Sequence, residues 1–231
     1  MCVRPVAIIS DIHANMEALD AVLGELLGME VFCLGDLVDY GAEPNEVIET
    51  VRERGVKSIM GNHDSAALTG DRKLFNARAA MSSKWTAKQL TEKNREYLRG
   101  LPPELRTHIG GAEVYFTHGS PDDRLWEYVD PTTHSNLFGH YLGKLGVQAI
   151  GLGHTHVPYV WEEKSGIVFN PGSVGQPRDG DNRASYAILS FDDGEASVEP
   201  RRVPYDYHAA SSKIRAAGLP ESFAERLASG T

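Results

Sequence analysis

The sequence predicts an α/β fold in which two mixed sheets face each other and helices cover the outside. Two patterns indicate this fold. Short apolar strands alternate with amphipathic helices in the first third of the chain, which is typical of parallel crossovers. Paired apolar segments with glycine-containing turns dominate the second half, as in antiparallel hairpins. The 231 residues contain no repeat or linker-like stretch, so we expect residues 1–231 to form a single domain.

The first third of the chain predicts three strands joined by two helices. The apolar runs at residues 6–9, 31–34 and 56–60 have the length and composition of buried strands. Apolar residues recur at helical spacing over residues 16–26, and residues 44–55 begin with proline and end with glycine, as helices commonly do. The loops after these parallel strands should gather at one edge, where open α/β sheets bind ligands.

The rest of the chain predicts helices, hairpins and a tail. Helix is expected over residues 71–101 and over most of residues 122–146, with a turn at 130–131. The tail from residue 206 is expected to form a short amphipathic helix and a frayed end. Strands are expected at residues 105–109, 112–116, 147–152, 159–161, 167–169, 184–191 and 196–203.

Composition and charge narrow the class of function. The net charge of −9 disfavours attraction to long nucleic acids, although an acidic protein can bind small phosphate esters where metal ions supply positive charge. The two cysteines imply no disulfide framework. The first residues lack the layout of a signal peptide, and no apolar run approaches the roughly 18 residues that span a bilayer. We therefore expect a cytoplasmic protein that acts on a small molecule without membrane contact, while its oligomeric state stays open.

Eight polar residues lie just beyond the ends of predicted strands. Any one of them has a structural explanation, since a single aspartate such as Asp36 can cap a helix and a single histidine can form ordinary hydrogen bonds. Their number and their common position favour a shared function. The eight residues are Asp11, His13, Asp36, Asn62, His63, His118, His154 and His156.

The chemistry of this set suits metal ions. Carboxylate, imidazole and carboxamide groups together favour first-row divalent cations such as Mn²⁺, Fe²⁺, Co²⁺, Ni²⁺ or Zn²⁺. No cysteine lies among them, which argues against a structural zinc site. About seven ligands are too many for one ion but fit two ions that share a carboxylate, an arrangement that clamps phosphoryl groups. The set therefore predicts a dinuclear hydrolytic centre.

Five sequence blocks stand in a fixed order between residues 11 and 156. They are Asp11-Ile12-His13, Gly35-Asp36-Leu37-Val38-Asp39-Tyr40-Gly41, Gly61-Asn62-His63-Asp64, His118-Gly119 and Gly153-His154-Thr155-His156. Together they closely resemble the calcineurin-like metallophosphoesterase superfamily, and especially its small bacterial and archaeal phosphodiesterase-like branch. This resemblance implies a four-layer α/β/β/α sandwich with its site at the sheet edges.

The resemblance also implies a role for each ligand. It places Asp36 between two cations, with Mn²⁺ as the preferred metal. The first cation would be held by Asp11, His13, Asp36 and His156. The second would be held by Asp36, Asn62, His118 and His154.

The resemblance gives His63 and Asp39 catalytic roles. His63 would bind neither cation but stabilise developing charge or protonate the leaving oxygen. Asp39 would orient His63 and raise its pKa. The implied reaction is in-line attack on phosphorus by a hydroxide that bridges the cations, without a covalent phosphoenzyme. A small phosphodiester is the expected substrate, in preference to a monoester.

Other functions stay open from the sequence alone. A relative can keep the fold as a metal-stabilised scaffold, but such relatives usually lack ligands that this chain retains. A nuclease is disfavoured by the acidic charge. Tyr40 stands where protein Ser/Thr phosphatases of the superfamily carry arginine, which argues against that branch. Specificity is expected from loops around Arg78, Arg124 and Asn136. Arg178 could contact the substrate, but the favoured interpretation is an exposed loop arginine.

Overall fold

The computed structural model describes residues 4–231 as two mixed five-stranded sheets with eight helices packed against them. The predicted α/β/β/α sandwich is confirmed. Within this range, no helix combines the length and the apolarity that a bilayer-spanning segment needs.

The strands and helices have the following bounds. The strands are β1 (Val6–Ile9), β2 (Val31–Cys33), β3 (Lys57–Ser58), β4 (Glu104–Ile109), β5 (Ala112–Thr117), β6 (Ala149–Leu152), β7 (Tyr159–Glu163), β8 (Gly166–Asn170), β9 (Ala184–Asp192) and β10 (Glu195–Val203). The helices are α1 (Met16–Glu25), α2 (Pro44–Glu53), α3 (Asn62–Thr69), α4 (Ala77–Gln89), α5 (Glu92–Arg99), α6 (Pro131–Leu145), α7 (Tyr207–Ala216) and α8 (Glu221–Ser229).

The first sheet has the strand order β10-β9-β1-β2-β3. Its three N-terminal strands run parallel, with Ile8 opposite Phe32 and Cys33 opposite Ser58. The β9-β10 hairpin joins antiparallel to β1. The carboxyl ends of β1 and β2 therefore lie side by side.

The second sheet has the strand order β4-β5-β6-β8-β7. Here β5, β6 and β8 run parallel, and the β4-β5 and β7-β8 hairpins supply the antiparallel edges. The predicted hairpins are thus confirmed. Because β5 and β6 are parallel neighbours, the residues that follow them emerge at one edge of the sheet.

The apolar core has three layers that follow the alternation of side chains along the strands. Ile8 and Phe32 point between the sheets and meet Phe116 from the second sheet. Ile9 points to the other side, where α1 and α2 cover it. Helix α6 covers the outer face of the second sheet through Phe138 and its neighbours.

The structure differs from the sequence predictions in several places. The helix expected over residues 71–101 begins only at Ala77 and is divided into α4 and α5. The third predicted strand shortens to two residues, because Met60 N–H bonds to Pro102 O (2.8 Å) outside the sheet. Residues 122–130 are irregular, so only the C-terminal part of the predicted 122–146 helix forms. The tail forms two helices, α7 and α8, rather than one helix and a frayed end. Phe223 of α8 is buried against Tyr40 at a ring distance of 5.0 Å.

Candidate metal centre

All eight polar residues predicted from strand ends converge at the edge where the two sheets meet. Each is at most 5% exposed. Six follow β1, β2, β5 or β6, as expected, whereas Asn62 and His63 occupy the first turn of α3. Backbone hydrogen bonds tie the loops together, including Asp11 N–H to Gly35 O (3.0 Å) and His13 N–H to Asp36 O (3.0 Å).

The backbone is strained where the predicted site residues lie. Nine non-glycine residues in the described range have positive φ, and six of them belong to the predicted site. L-residues rarely adopt this region, and each such conformation costs roughly 1–3 kcal/mol. Strain of this kind persists where the surroundings enforce it, and it is common at functional sites. The six are Asp11 (54°), His13 (50°), Asp36 (57°), Asp39 (71°), His154 (68°) and His156 (61°).

The first of two ligand clusters consists of Asp11, His13 and His156. The Nε2 atoms of the two histidines lie 3.1 Å apart, and Asp11 Oδ1 lies 3.2 Å from His156 Nε2. The Nδ1–H groups donate to backbone carbonyls, that of His13 to Val38 O (2.9 Å) and that of His156 to Gln176 O (2.6 Å). These bonds fix both rings with Nε2 pointing into the cluster.

The second cluster consists of Asp36, His118 and His154, with Asn62 beside it. His118 Nε2 lies 3.2 Å from Asp36 Oδ2 and 3.0 Å from Asn62 Oδ1. His118 Nδ1–H donates to Leu34 O (2.7 Å). His154 is fixed the other way round, because its Nε2–H donates to Trp126 O (3.2 Å) and leaves the lone pair of Nδ1 free to bind a cation.

Asp36 lies between the clusters. Its Oδ2 is 3.2 Å from His118 Nε2 and 3.7 Å from His13 Nε2. Its other oxygen, Oδ1, accepts a hydrogen bond from His63 N–H (2.8 Å). Asp36 therefore has one oxygen held by the backbone and one that faces both clusters.

The donor atoms of these clusters fit divalent cations. His13 and His156 both donate from Nδ1, so in their neutral forms both Nε2 atoms present lone pairs to each other across 3.1 Å. Asp11 Oδ1 and Asp36 Oδ2 are buried and accept no hydrogen bond within the described chain. Lone pairs that face each other, and buried carboxylate oxygens without a hydrogen-bond donor, destabilise the folded state unless a cation lies among them.

The charged groups shift one another's pKa values strongly. Burial lowers the pKa of His154 to about 3, with a further decrease from His118. Burial also lowers the pKa of His118, but the adjacent Asp36 outweighs it and raises that pKa to about 9. Burial opposes ionisation of Asp36, yet His118 and His63 keep its pKa well below the usual value. The site thus keeps Asp36 anionic and His154 neutral, which are the forms in which these side chains bind metal ions.

His63 and Asp39 form a separate buried pair beside the clusters. His63 Nδ1 and Asp39 Oδ2 are 2.8 Å apart, so Nδ1–H donates to the carboxylate, and the His63 side chain lines an adjacent cavity. Burial lowers the pKa of His63, but Asp36 and the Asp39 hydrogen bond outweigh it and raise the pKa. The pair has the geometry of an oriented general acid.

Asp64 supports the site in a way that the sequence analysis missed. Its carboxylate accepts hydrogen bonds from four N–H groups, those of Asp36 (2.9 Å), Leu37 (2.9 Å), Val38 (3.2 Å) and Gly61 (3.0 Å). It thereby shapes the loop that presents Asp36. The available signal was an acidic residue three positions after Gly61 at a helix start, which is a capping-box pattern.

Aromatic side chains wall a cavity of about 260 Å³ next to His63. Phe75 stacks on His63 at 4.4 Å and meets Trp126 edge-on at 5.3 Å. Tyr128 stacks on His154 at 3.9 Å. No sequence block predicted these residues, because they come from segments outside the strand ends.

Comparisons with known proteins agree with this geometry. The model of the calcineurin-like phosphoesterase superfamily domain matches residues 5–194. An uncharacterized protein of Methanocaldococcus jannaschii is 40% identical over 243 residues, covering 96% of each chain. A crystal structure described as a metallophosphoesterase from Sphaerobacter thermophilus is 38% identical, with a TM-score of 0.81 over 99% of this chain and 100% of that one. A hypothetical protein from Pyrococcus horikoshii is 26% identical, with a TM-score of 0.88 over 98% of each chain.

Proposed function

Since the chain belongs to the calcineurin-like phosphoesterase superfamily, we propose that it is a two-metal phosphodiesterase acting on a small phosphate ester. As a member of this superfamily, it is a metal-dependent hydrolase of phosphoric ester bonds, with two groups of side chains that can hold metal ions. The diester preference, the role of each residue and the identity of the metal belong to the proposal. So does the interpretation of residues 1–231 as one domain, which the packing of α8 against Tyr40 supports.

The observation that carries the proposal is the convergence of lone pairs between the clusters. Asp11, His13, His156 and Asp36 would hold one cation, and Asp36, Asn62, His118 and His154 the other. Asp36 Oδ2 faces both groups, which supports its role as the shared ligand. Mn²⁺ is our preferred metal because oxygen and imidazole donors are mixed and thiolates are absent from the ligand set.

Two bound cations would neutralise a phosphate and activate water for in-line attack. The chain itself supplies the remaining steps. Asp36 and Asp39 raise the pKa of His63 and so favour its protonated form, which would donate a hydrogen bond or proton from Nε2 to an ester oxygen. Asp39 accepts the Nδ1–H of His63 and so leaves Nε2 as the ring atom that can act on an ester oxygen.

The aromatic cavity supports a diester substrate. A diester carries a second organic group on phosphorus, and the cavity beside His63 offers apolar and aromatic walls for such a group. The alternative function, a metal-stabilised scaffold, is disfavoured because both ligand clusters and the His63–Asp39 pair are complete.

A hydrolysis screen of purified, Mn²⁺-loaded protein tests the proposal. The screen should include matched chromogenic esters, bis(p-nitrophenyl) phosphate and p-nitrophenyl phosphate, together with cyclic phosphates. We expect the diester to be cleaved at least about tenfold faster than the monoester, and cleavage to stop after metal removal. Faster cleavage of the monoester would contradict the diester preference. Protein that holds two cations but cleaves none of these compounds would contradict the proposal and favour the scaffold.

A further inference from the structure

A second cavity, of about 490 Å³, adjoins the metal centre and is lined by three arginines. Arg78 comes from the first turn of α4, Arg178 from the loop after β8, and Arg226 from α8. Tyr40 lines both this cavity and the aromatic one, and its ring lies 4.6 Å from that of His63. The two cavities therefore share the Tyr40 wall, which is in contact with the proposed catalytic histidine.

Although the chain is acidic, none of these three arginines forms an ion pair with a carboxylate in the described range, and neither do Arg4, Arg52, Arg54 and Arg72. Eight other arginines do, at positions 95, 99, 106, 124, 183, 201, 202 and 215. Even Asp179, the neighbour of Arg178 in sequence, pairs instead with Arg202. No carboxylate of the described chain therefore lies within ion-pair distance of the three guanidinium groups that line the cavity.

Two of these guanidinium groups are held close together. Gln176 Oε1 accepts hydrogen bonds from both Arg178 (2.9 Å) and Arg226 (3.0 Å). The Nε atoms of both arginines are buried and have no hydrogen-bond partner in the described chain. Burial lowers the pKa of Arg226, and the adjacent Arg178 lowers it further. Burying two positive charges next to each other is unfavourable, so their arrangement here indicates a binding site for an anion.

Gln176 also links this cavity to the metal centre. Its carbonyl oxygen accepts the Nδ1–H of His156, while its side chain fixes the two guanidinium groups. Arg178 additionally lies over the Tyr40 ring, with Cζ 5.8 Å from the ring centre. One buried residue therefore positions a proposed metal ligand and the arginines together.

We infer that the Arg78, Arg178 and Arg226 cavity binds a second phosphoryl group of the substrate, while the scissile phosphate lies at the metal centre. The inference rests on the proposed function and narrows the substrate to compounds with two or more phosphate groups. The planar guanidinium group of arginine donates paired hydrogen bonds to phosphate oxygens. Three arginines around one cavity can therefore bind a group of charge −2. A substrate with a single phosphate would leave this charge uncompensated.

Binding of phosphates of increasing length tests the inference. The probes are orthophosphate, pyrophosphate and tripolyphosphate, titrated calorimetrically into Mn²⁺-loaded protein at one fixed excess of Mn²⁺. We expect the wild-type protein to prefer tripolyphosphate over orthophosphate. Arg178→Gln and Arg226→Gln should each reduce that preference about tenfold or more, as expected for a lost hydrogen bond to a charged group. Chelation of Mn²⁺ in solution is the same for every variant and cancels in the comparison.

Arg215→Gln is the matched control, because Arg215 lies on the neighbouring helix α7 and forms an exposed ion pair with Glu221. It should bind all three probes as the wild type does. Metal content and thermal unfolding of each variant show whether the fold and the metal centre are intact. Wild-type preference for tripolyphosphate in both arginine variants would overturn the inference.

The two proposals fail in different ways. Hydrolysis of bis(p-nitrophenyl) phosphate together with arginine-independent tripolyphosphate binding would reject the second phosphate site and leave the phosphodiesterase proposal intact. If tripolyphosphate binding depends on the arginines but the protein hydrolyses no ester, the phosphodiesterase proposal is rejected and the second phosphate site is retained.

Discussion

The four proposed ligand histidines and Asp36 each have one side-chain atom hydrogen-bonded to the backbone and another that faces the centre. Three histidines donate from Nδ1 to a backbone carbonyl, and His154 does so from Nε2. Asp36 likewise accepts from a backbone N–H with one oxygen only. The backbone thus selects the tautomer of each imidazole, which a residue pattern alone cannot show.

At this scale we predict that His63→Ala keeps both cations but lowers the rate of ester hydrolysis by about 10²–10⁴, the usual contribution of acid–base catalysis. The reason is that His63 contacts Asp39 through its ring and lies outside both ligand clusters. The measurement is kcat for bis(p-nitrophenyl) phosphate together with metal content by elemental analysis. Unchanged turnover would remove His63 from the mechanism, and loss of metal would show that it acts as a ligand.

At the scale of elements, the loop after β2 and the start of α3 form one unit. Asp64 of α3 binds three consecutive N–H groups of the loop, and Gly61 packs so closely that a Cβ there would overlap the Asp36 carboxylate. The position of Asp36 therefore depends on α3 as well as on β2.

We predict that Asp64→Asn destabilises the protein by roughly 2–4 kcal/mol, because an amide leaves buried N–H groups without an acceptor. It should also weaken metal binding, since Asp36 loses its support. Urea unfolding of the metal-free and metal-loaded protein measures both effects. Asp122→Asn, which removes only an exposed ion pair with Lys144, is the control and should change stability by less than about 1 kcal/mol. Equal stability of the two variants would contradict this role of Asp64.

The sequence predicted elements well where a local pattern determines them. Strands such as β1 and hairpins such as β9-β10 are specified by short-range alternation and turn residues, and they are confirmed. Prediction from sequence failed where contacts between distant parts of the chain determine the local structure. Asn62 and His63 were expected in a loop, but a helix begins there because Asp64 caps it against a distant strand end. The tail folds into two helices because Tyr40 and Phe223, far apart in sequence, bury each other.

At the scale of the whole molecule, the two sheets contribute different parts of one centre. Asp11, His13 and Asp36 come from the first sheet, whereas His118, His154 and His156 come from the second. The family blocks identified this convergence from sequence, but the arginine cavity could not be found that way. Arg226 lies on α8, and nothing in the sequence indicates that it reaches Arg178.

This arrangement makes the stability of the metal-free protein depend on pH. The pKa of His118 is raised from about 6.5 to about 9 by Asp36 despite burial, so its stabilising charge is fully present below pH 6.5 and is lost as pH rises through 9. We therefore predict that the protein in EDTA loses stability between pH 6.5 and 9, as measured by the midpoint of urea unfolding. His118→Gln should reduce this decline, and the part that remains comes from His63, whose pKa is also raised. A wild-type midpoint that stays constant or rises over this range would contradict the prediction.

The central claim, that Asp36 joins two cations held between the two sheets, is tested most directly by metal stoichiometry. Equilibrium dialysis against Mn²⁺ followed by elemental analysis should give two ions per wild-type chain. Asp36→Ala should bind neither ion tightly, because each loses a ligand at the same carboxylate. A wild-type chain that binds fewer than two ions, or an Asp36→Ala chain that retains both, would contradict the account.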